Sequence, residues 1–303
     1  MKTVGVDIGG TTITVGIVVD NKLIKSKTII NEFIGAPNRI IDTIIEIIKE
    51  LEELKNLSFI GVACPGIVQN SIIYGAVNLG YDNFEIAKHL TKKTQIHALA
   101  ENDGTAALIG EMFCGSLTNY NNAILLTLGT GVGGGICINK KPYKGSTASA
   151  GEFGHTVYIR NGYPCMCGRK GCFEQYASTS ALIRQIRETI LDNKNSILYK
   201  YCSEDLNQIN GKLFFEAVKN EDKFCLKILD SFTTCISEGI YDFINILDVE
   251  AVSIGGGISD AGLVLIDPIR EKVRNYGLET NVIKATLGNL AGVIGAANLY
   301  RFQ

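Results

Sequence analysis

The chain has 303 residues, of which 46% are hydrophobic and 20% are charged, and its formal net charge is −2. This length and composition can fill the core of two domains, or of one large domain divided into lobes. No block of like charge stands out, so the sequence predicts neither a nucleic-acid-binding surface nor a membrane-binding surface.

The N-terminal residues read as a β-strand and lack the basic and apolar segments of a secretion signal, which predicts a cytoplasmic protein. The most apolar window, Ala123 to Ile138, is too short and too rich in glycine to cross a bilayer, which takes about 20 apolar residues. The nine cysteines, an odd number, suit a reducing compartment, where clustered cysteines bind metal more often than they form disulfides.

The first 30 residues alternate apolar and polar side chains between short glycine and asparagine turns, which predicts three antiparallel strands. Isoleucines and leucines at helical spacing follow Pro37, which predicts that a helix begins there. Further along, the patterns predict a strand at 58–64, a helix at 83–92, a strand at 96–100 and a helix at 102–115.

In the second half, two strands are predicted around the glycine run 129–135, followed by a loop-rich segment. Helices are predicted at 178–193, 212–219 and 222–247, then a strand at 251–254 and a helix at 291–301. Strands crossed by helices in this way predict an α/β fold. Its predicted parts are a small lobe at 1–117, to which the C-terminal helix 291–303 returns, and a large lobe at 118–290.

Three predicted strands run into glycine-rich turns. Glycine lets the backbone approach phosphate oxygens and direct its N–H groups toward them, and threonine hydroxyls add donors. A single glycine-rich turn usually only reverses the chain and binds no ligand. Three such turns in one chain predict a site for the phosphates of a nucleotide. The predicted phosphate-binding residues are Gly9, Gly10, Thr11 and Thr12, then Gly129, Thr130, Gly131 and Gly133, and finally Gly255, Gly256 and Gly257.

Asp7 precedes the first turn and is the predicted carboxylate for Mg²⁺, held through water because Mg²⁺ keeps much of its hydration shell. The third turn is predicted to begin a helix, whose N-terminal dipole would favour an anion. No Gly-Lys-Ser/Thr P-loop occurs, and the run 129–135 lacks the βαβ unit and the later acidic residue of a dinucleotide site.

Asp103 follows a predicted strand and opens a predicted helix. In isolation, an aspartate at this position is most often a helix N-cap. In a phosphate-transferring site it would instead be the general base that takes a proton from the acceptor hydroxyl, a role that contributes about 10²–10⁴-fold to a rate. Because strand ends are where such groups lie, we predict that Asp103 is the base.

The most specific local pattern combines His155 with Cys165, Cys167 and Cys172. One imidazole and three thiols in a short segment make a closed set of four ligands suited to structural Zn²⁺, with no position open for chemistry. The alternative is a disulfide or free thiols, but Cys165 and Cys167 are too close along the chain to pair comfortably. The sequence therefore predicts a zinc-bound loop.

Two acids flank this segment, Glu152 before His155 and Glu174 after Cys172. Folding of the segment around a metal would bring both carboxylates together, where they could accept hydrogen bonds from sugar hydroxyls. The alternative is that each glutamate is a solvated charge. Their symmetric placement favours the sugar site.

Together these motifs resemble the ROK family of bacterial sugar kinases and repressors, within the actin/hexokinase superfamily, over essentially the whole chain. The run Cys165 to Glu174 matches the family's metal signature, Glu152 to His155 its sugar-site motif, Asn102-Asp103 its catalytic pair and 7–11 its first phosphate motif. The resemblance implies a two-lobed actin/hexokinase-like (ribonuclease H-like) fold with a zinc-bound loop and an interlobe cleft that closes on its substrate and excludes water.

The resemblance also implies an ATP- and Mg²⁺-dependent kinase that phosphorylates the 6-hydroxyl of a neutral hexose. Asp103 would be the general base, and His155 would use one nitrogen for zinc and the other for sugar. The run 78–83 resembles that of the family's glucokinases and points to glucose, whereas Phe153 and Gln175 replace commoner residues. The implied sugar-binding residues are Gly66, Asn78, Asn102, Asp103, Glu152, His155 and Glu174.

A ROK kinase for another hexose is the alternative: N-acetylmannosamine, N-acetylglucosamine, allose, mannose or fructose. A sugar-responsive repressor would carry a helix-turn-helix region ahead of the first phosphate motif, where Asp7 already lies, and an actin-like interaction protein would not need the paired acids.

Family members are commonly dimers or tetramers, so a homodimer or homotetramer is expected. Carboxylates at 103, 152 and 174 around one substrate predict poor activity on sugar acids.

Overall fold

The computed structural model describes residues 1–76, 79–202 and 205–302. The chain forms two compact units, the first made of Met1–Asn121, Gly135–Gly151 and Thr286–Gln303, and the second of Asn122–Gly134 and Glu152–Ala285. No helix among the described residues is both long and apolar enough to span a membrane. The lobe boundaries at 1–117 and 118–290 stay a prediction.

The secondary structure alternates strands and helices along the described chain, which confirms the predicted α/β class. The strands are β1 (Lys2–Ile8), β2 (Thr12–Val19), β3 (Lys22–Ile30), β4 (Phe59–Cys64), β5 (Ile67–Gln69), β6 (Ile72–Tyr74), β7 (Ala98–Asn102), β8 (Ala123–Leu128), β9 (Val132–Ile138), β10 (Lys141–Pro142), β11 (Ala251–Gly255) and β12 (Asn281–Lys284). The α-helices are α1 (Pro37–Leu51), α2 (Ile86–Thr94), α3 (Asp103–Cys114), α4 (Glu174–Ala177), α5 (Thr179–Thr189), α6 (Ile197–Tyr201), α7 (Gly211–Lys219), α8 (Lys223–Leu247), α9 (Leu263–Asn275) and α10 (Ala291–Ala297).

One five-stranded sheet has the order β3-β2-β1-β4-β7. Its first three strands are antiparallel neighbours, as predicted, while β4 and β7 run parallel to β1. The carboxyl ends of β1, β4 and β7 therefore meet at one edge. The register pairs Asp7 with Ala63 and Cys64 with Asn102, so Asp7 and the first residue of α3 both lie at that edge.

The other five-stranded sheet has the order β10-β9-β8-β11-β12. β8, β11 and β12 are parallel, and Gly255 at the end of β11 pairs with Thr127 near the end of β8. The glycine turns that follow β8 and β11 therefore lie side by side in the second unit.

The helices of the first unit cover its sheet with apolar surface. α1 starts at Pro37, where proline's fixed φ suits the first helical turn, and it buries Ile40, Ile44 and Ile48 completely. α10 is buried along its whole length. A side chain in place of Gly5 or Gly61 would overlap the backbone of α10, so this helix lies in direct backbone contact with β1 and β4.

Some elements differ from the sequence-based expectation. The predicted helix at 291–301 divides into α10 and a 3-10 helix at Leu299–Phe302. The third glycine turn opens a 3-10 helix at Gly257–Ala261, and not an α-helix as predicted. The hairpin β5–β6 is too short to show alternation, and α9 contains Pro268, which normally ends a helical pattern, so neither was predicted.

Candidate active site

Asn102 and Asp103 lie where β7 passes into α3. The Asn102 side chain accepts a hydrogen bond from Thr105 N at 3.1 Å, so Asn102 is the N-cap and Asp103 is the first helical residue. The alternative role of Asp103 as the N-cap is therefore wrong. The Asn102 amide donates to Gly66 O at 3.0 Å and to Asp103 Oδ1 at 3.1 Å, which fixes the carboxylate relative to the end of β4.

Desolvation by the surrounding protein raises the pKa of Asp103, although the residue is exposed and the hydrogen bonds from Gly104 and Asn102 lower the pKa. Desolvation also raises the pKa of Asp7 to about 7, and the charge of Asp103 adds to this shift. A carboxylate whose ionisation is opposed both by burial and by a second carboxylate is suited to bind a cation, which offsets both effects.

Asp7 has the chemistry and the space that a hydrated Mg²⁺ requires. Its carboxylate makes no hydrogen bond within residues 1–76, 79–202 and 205–302, and it lines a cavity of about 400 Å³ in the first unit. Gly9 and Thr12 line the same cavity. A carboxylate oxygen with room for water fits Mg²⁺, which keeps several of its water ligands.

The first glycine turn is closed by hydrogen bonds that the sequence did not reveal. Gly9 N donates to Thr12 O at 2.8 Å, and the Asn31 amide donates to Gly9 O, also at 2.8 Å. Asn31 N in turn donates to Thr11 O at 2.9 Å. Asn31 follows β3 and is distant in sequence, so no local motif identifies it as the residue that holds the turn.

The second and third glycine turns meet at a cavity of about 1190 Å³ in the second unit, named here the α5 cavity. Gly129, Thr130 and Gly257 line it, whereas Gly131, Gly133, Gly255 and Gly256 do not. Its wall is completed by α5 and α7, which contribute polar side chains absent from the sequence-based prediction. These are Thr179, Ser180, Arg184, Arg187, Glu188, Lys212, Glu216 and Lys219.

His155, Cys165, Cys167 and Cys172 converge in the second unit, and their ligand atoms all lie within 4.8 Å of one another. Cys165 Sγ lies 3.7 Å from His155 Nδ1, and Cys167 Sγ lies 3.6 Å from Cys172 Sγ. A tetrahedral Zn²⁺ with Zn–S bonds of about 2.3 Å separates its sulfur ligands by about 3.8 Å. The four residues therefore fit zinc, and all nine cysteines are free of disulfides.

The two flanking acids lie beside His155. Glu174 Oε1 is 2.9 Å from Cys165 Sγ and 3.8 Å from His155 Nδ1, while Glu152 Oε2 is 4.0 Å from His155 Nε2. A methyl group on Gly131 would lie 2.6 Å from Glu174 Oε2, so Glu174 also borders the second glycine turn. With Nδ1 facing the thiols, His155 keeps Nε2 for another partner. Asn78 lies outside the described residues.

The whole chain is similar to known proteins. A family model described as the ROK family matches residues 3–302. A glucokinase of Thermotoga maritima is 33% identical, with 99% of this chain and 98% of that one covered, and a glucokinase of Halalkalibacterium halodurans is 35% identical, with 99% and 95% covered. The crystal structure of a ROK family glucokinase from Streptomyces griseus in complex with glucose and AMPPNP has a TM-score of 0.86, at 30% identity over 100% of both chains. The chain belongs to the ROK family, as its motifs predicted.

Proposed function

We propose that this protein is an ATP-dependent hexose kinase that transfers the terminal phosphoryl group to the 6-hydroxyl of glucose, with Asp103 as the general base. One feature carries the proposal: a carboxylate with a raised pKa is held at the start of α3 by the Asn102 amide, at the sheet edge where Asp7 and the first glycine turn also lie. The two glucokinases named above and the structure with glucose and AMPPNP support the reaction and its substrates.

The reaction follows from these side chains. Asp103 accepts the proton of the 6-hydroxyl as that oxygen attacks the terminal phosphorus, and ADP leaves. Because desolvation raises the pKa of Asp103, this carboxylate is a stronger base than an ordinary aspartate. Asn102 holds the carboxylate in its acceptor orientation. Mg²⁺, held through water by Asp7, would neutralise phosphate charge, and the remaining catalysis is positioning.

For the nucleotide, we assign the phosphates to backbone N–H groups of the glycine turns and the nucleoside to the α5 cavity. Gly129, Thr130 and Gly257 line this cavity, and its volume is ample for a nucleoside. The first turn, with Gly9, Gly10, Thr11 and Thr12, would contribute further donors.

For the hexose, we propose Gly66, Asn78, Asn102, Asp103, Glu152, His155 and Glu174 as its contacts. The hydrogen bond from Asn102 to Gly66 O supports grouping Asn102 with Gly66, and the position of Glu152 and Glu174 beside His155 supports grouping these three residues. Zn²⁺ on His155, Cys165, Cys167 and Cys172 would be structural, since the protein fills all four positions. Homodimers or homotetramers are the assembly we propose.

A panel of sugars tests the function. Purified protein is given ATP, Mg²⁺ and one sugar at a time, namely glucose, mannose, fructose, allose, N-acetylglucosamine or N-acetylmannosamine, and ADP release is followed. Glucose should give the highest kcat/KM, and Asp103→Ala should abolish sugar-dependent ADP release. A higher kcat/KM for another hexose would reassign the substrate, and glucose binding without turnover would point to a sugar-responsive regulator.

A further inference from the structure

Tyr163 lies in the metal segment, residues 155–172, but contacts two side chains of α5 that line the α5 cavity. The Arg184 guanidinium lies over the Tyr163 ring, 3.9 Å from its centroid. The Tyr163 hydroxyl donates a hydrogen bond to Glu188 Oε2 at 2.9 Å. Arg184 and Glu188 are one helical turn apart and both line the cavity. Tyr163, a side chain of the metal segment, therefore contacts two neighbouring residues of the cavity wall and restricts their positions.

Most of the contacts that hold the Arg184 guanidinium come from the metal segment and from Gln175, which follows it. One of its terminal nitrogens donates to Gln175 Oε1 at 3.2 Å, and the other donates to the Gln175 carbonyl. Its Nε is buried, makes no hydrogen bond within the described part of the chain, and lies 3.9 Å from Glu188 Oε1. Gln175 follows the last metal ligand, Cys172, by three residues. The guanidinium is therefore positioned by residues on either side of that ligand.

Tyr163 is in turn fixed by the fold of the metal segment. Its N–H donates to the Tyr176 hydroxyl at 3.0 Å, and its carbonyl accepts from Gly171 N at 2.8 Å. Two residues further on, Cys165 N donates to Arg169 O at 2.9 Å and closes the turn that carries Cys167. Because Tyr163 and the thiols share one hydrogen-bonded loop, a change at the metal ligands would displace the tyrosine.

We infer that Tyr163 is a positioning residue that makes nucleotide affinity depend on the metal segment. The inference rests on the proposed function, in which the nucleotide occupies the α5 cavity. Tyr163 does not line that cavity; it holds Arg184 and Glu188 in place before the nucleotide arrives. Side chains that are loose in the free protein must be ordered on binding, which lowers affinity. Loss of the metal would release Tyr163 and weaken nucleotide binding.

Equilibrium titration with AMPPNP, without sugar, tests the coupling. Tyr163→Phe keeps the ring under Arg184 and removes the hydrogen bond to Glu188, so its Kd should rise roughly threefold to tenfold. Glu188→Ala removes the same bond from the other side. If both act through one contact, the double variant should bind no more weakly than Glu188→Ala alone. Glu188→Gln keeps an acceptor for the tyrosine and should bind more tightly than Glu188→Ala.

Tyr158→Phe is the matched control. Tyr158 also belongs to the metal segment, but its hydroxyl donates to Glu238, which does not line the α5 cavity. Its Kd for AMPPNP should stay within about twofold of the wild-type value. Additive losses in the double variant, or an equal loss in Tyr158→Phe, would overturn the inference.

A metal titration completes the test. Wild-type protein is treated with a chelator, and AMPPNP binding is measured before and after one equivalent of Zn²⁺ is restored. Zn²⁺ should tighten binding in the wild type and tighten it less in the Tyr163→Phe/Glu188→Ala variant. No effect of Zn²⁺ on the wild-type Kd would overturn the coupling. Failure of AMPPNP to bind the metal-loaded wild type at all would instead overturn the proposed function.

Discussion

The carboxylate of Asp7 lies against Gly292, the second residue of α10, so closely that a methyl group on Gly292 would overlap Asp7 Oδ2. α10 is buried and in backbone contact with β1, the strand that carries Asp7. The carboxylate that we assign to Mg²⁺ is therefore placed by the C-terminal part of the chain as well as by its own strand.

Gly292→Ala should impair the reaction by displacing Asp7. Because α10 lies against the backbone of β1, the helix and the strand cannot easily move apart to make room for the added methyl group. Overpacking of this kind costs about 1–3 kcal/mol of stability. Steady-state kinetics should show a higher requirement for Mg²⁺ and a kcat at least about tenfold lower.

Gly16→Ala provides the control for overpacking alone. A methyl group there would meet the side chains of Leu23 and Val293, and not Asp7. This variant should lose stability while keeping the Mg²⁺ dependence of the wild type. Equal kinetic defects in the two variants would show that Gly292 acts only through general stability.

Asp103→Asn should lower kcat by about 10²–10⁴-fold and leave AMPPNP binding nearly unchanged, because it removes only the proton acceptor. Protonation at low pH disables a base with a raised pKa, so wild-type kcat should fall as the pH is lowered toward that pKa. The residual rate of the variant should lack this dependence. The pH dependence of the wild type and that of the variant are both obtained from kcat measured between about pH 5 and 9.

Glu101→Gln is the matched control for Asp103→Asn. Glu101 is the buried carboxylate two positions earlier, paired with Lys144 at 2.9 Å, and glutamine keeps the acceptor that Asn102 N uses. Its kcat should stay within a fewfold of the wild-type value. An unchanged pH profile in Asp103→Asn would remove this residue from the role of base.

Asp7→Asn should stabilise the protein at pH 8 in the absence of Mg²⁺. Burial raises the folded-state pKa of Asp7 from its ordinary value of 3.8 to about 7, so the folded state binds the proton more tightly and stability falls as the pH rises between these values. With a discount for partial exposure, the variant should gain about 1–3 kcal/mol above pH 7 and almost nothing near pH 4. Urea unfolding at both pH values measures this, with exposed Asp192→Asn as control.

Much of this site could be predicted because its parts are continuous in sequence. The run around Asp103 opens a helix after a strand, and the cysteines lie within one short loop, so local spacing was enough to place them. Local pattern also identified the glycine turns. It could not show which of their residues line the α5 cavity, because that depends on the pairing of β8 with β11, far apart along the chain.

Residues whose partners are distant were missed for the same reason. Glu111 lies in a predicted helix, where a glutamate is normally exposed, yet it is completely buried. Its carboxylate accepts hydrogen bonds from the backbone N–H groups of Thr286 and Leu287, and from Ser116. Arg184 likewise fits an ordinary amphipathic helix, and only the fold brings it over Tyr163.

Purified protein should contain about one Zn²⁺ per chain, and Cys167→Ser should lose it. Structural zinc contributes directly to folding, so both the variant and the chelated wild type should unfold at a lower temperature. Cys114→Ser is the control, because Cys114 lies outside the cluster and donates to Asn21 O at 3.2 Å. Metal content is measured by mass spectrometry beside thermal unfolding. A full zinc content in Cys167→Ser would contradict the proposed ligand set.

Gluconate should be a very poor substrate compared with glucose. If Asp103, Glu152 and Glu174 all face the sugar, a carboxylate on the substrate meets several like charges, each opposing it by about 1 kcal/mol at 4 Å even in water. We therefore expect kcat/KM at least about 100-fold below that for glucose. Sorbitol, the uncharged open-chain polyol, controls for the missing ring, and Glu152→Gln should narrow the gap between gluconate and sorbitol. Turnover of gluconate at rates near those for glucose would mean that the acids do not face the substrate, since like charges at contact distance in a desolvated site cannot be tolerated without a counter-ion.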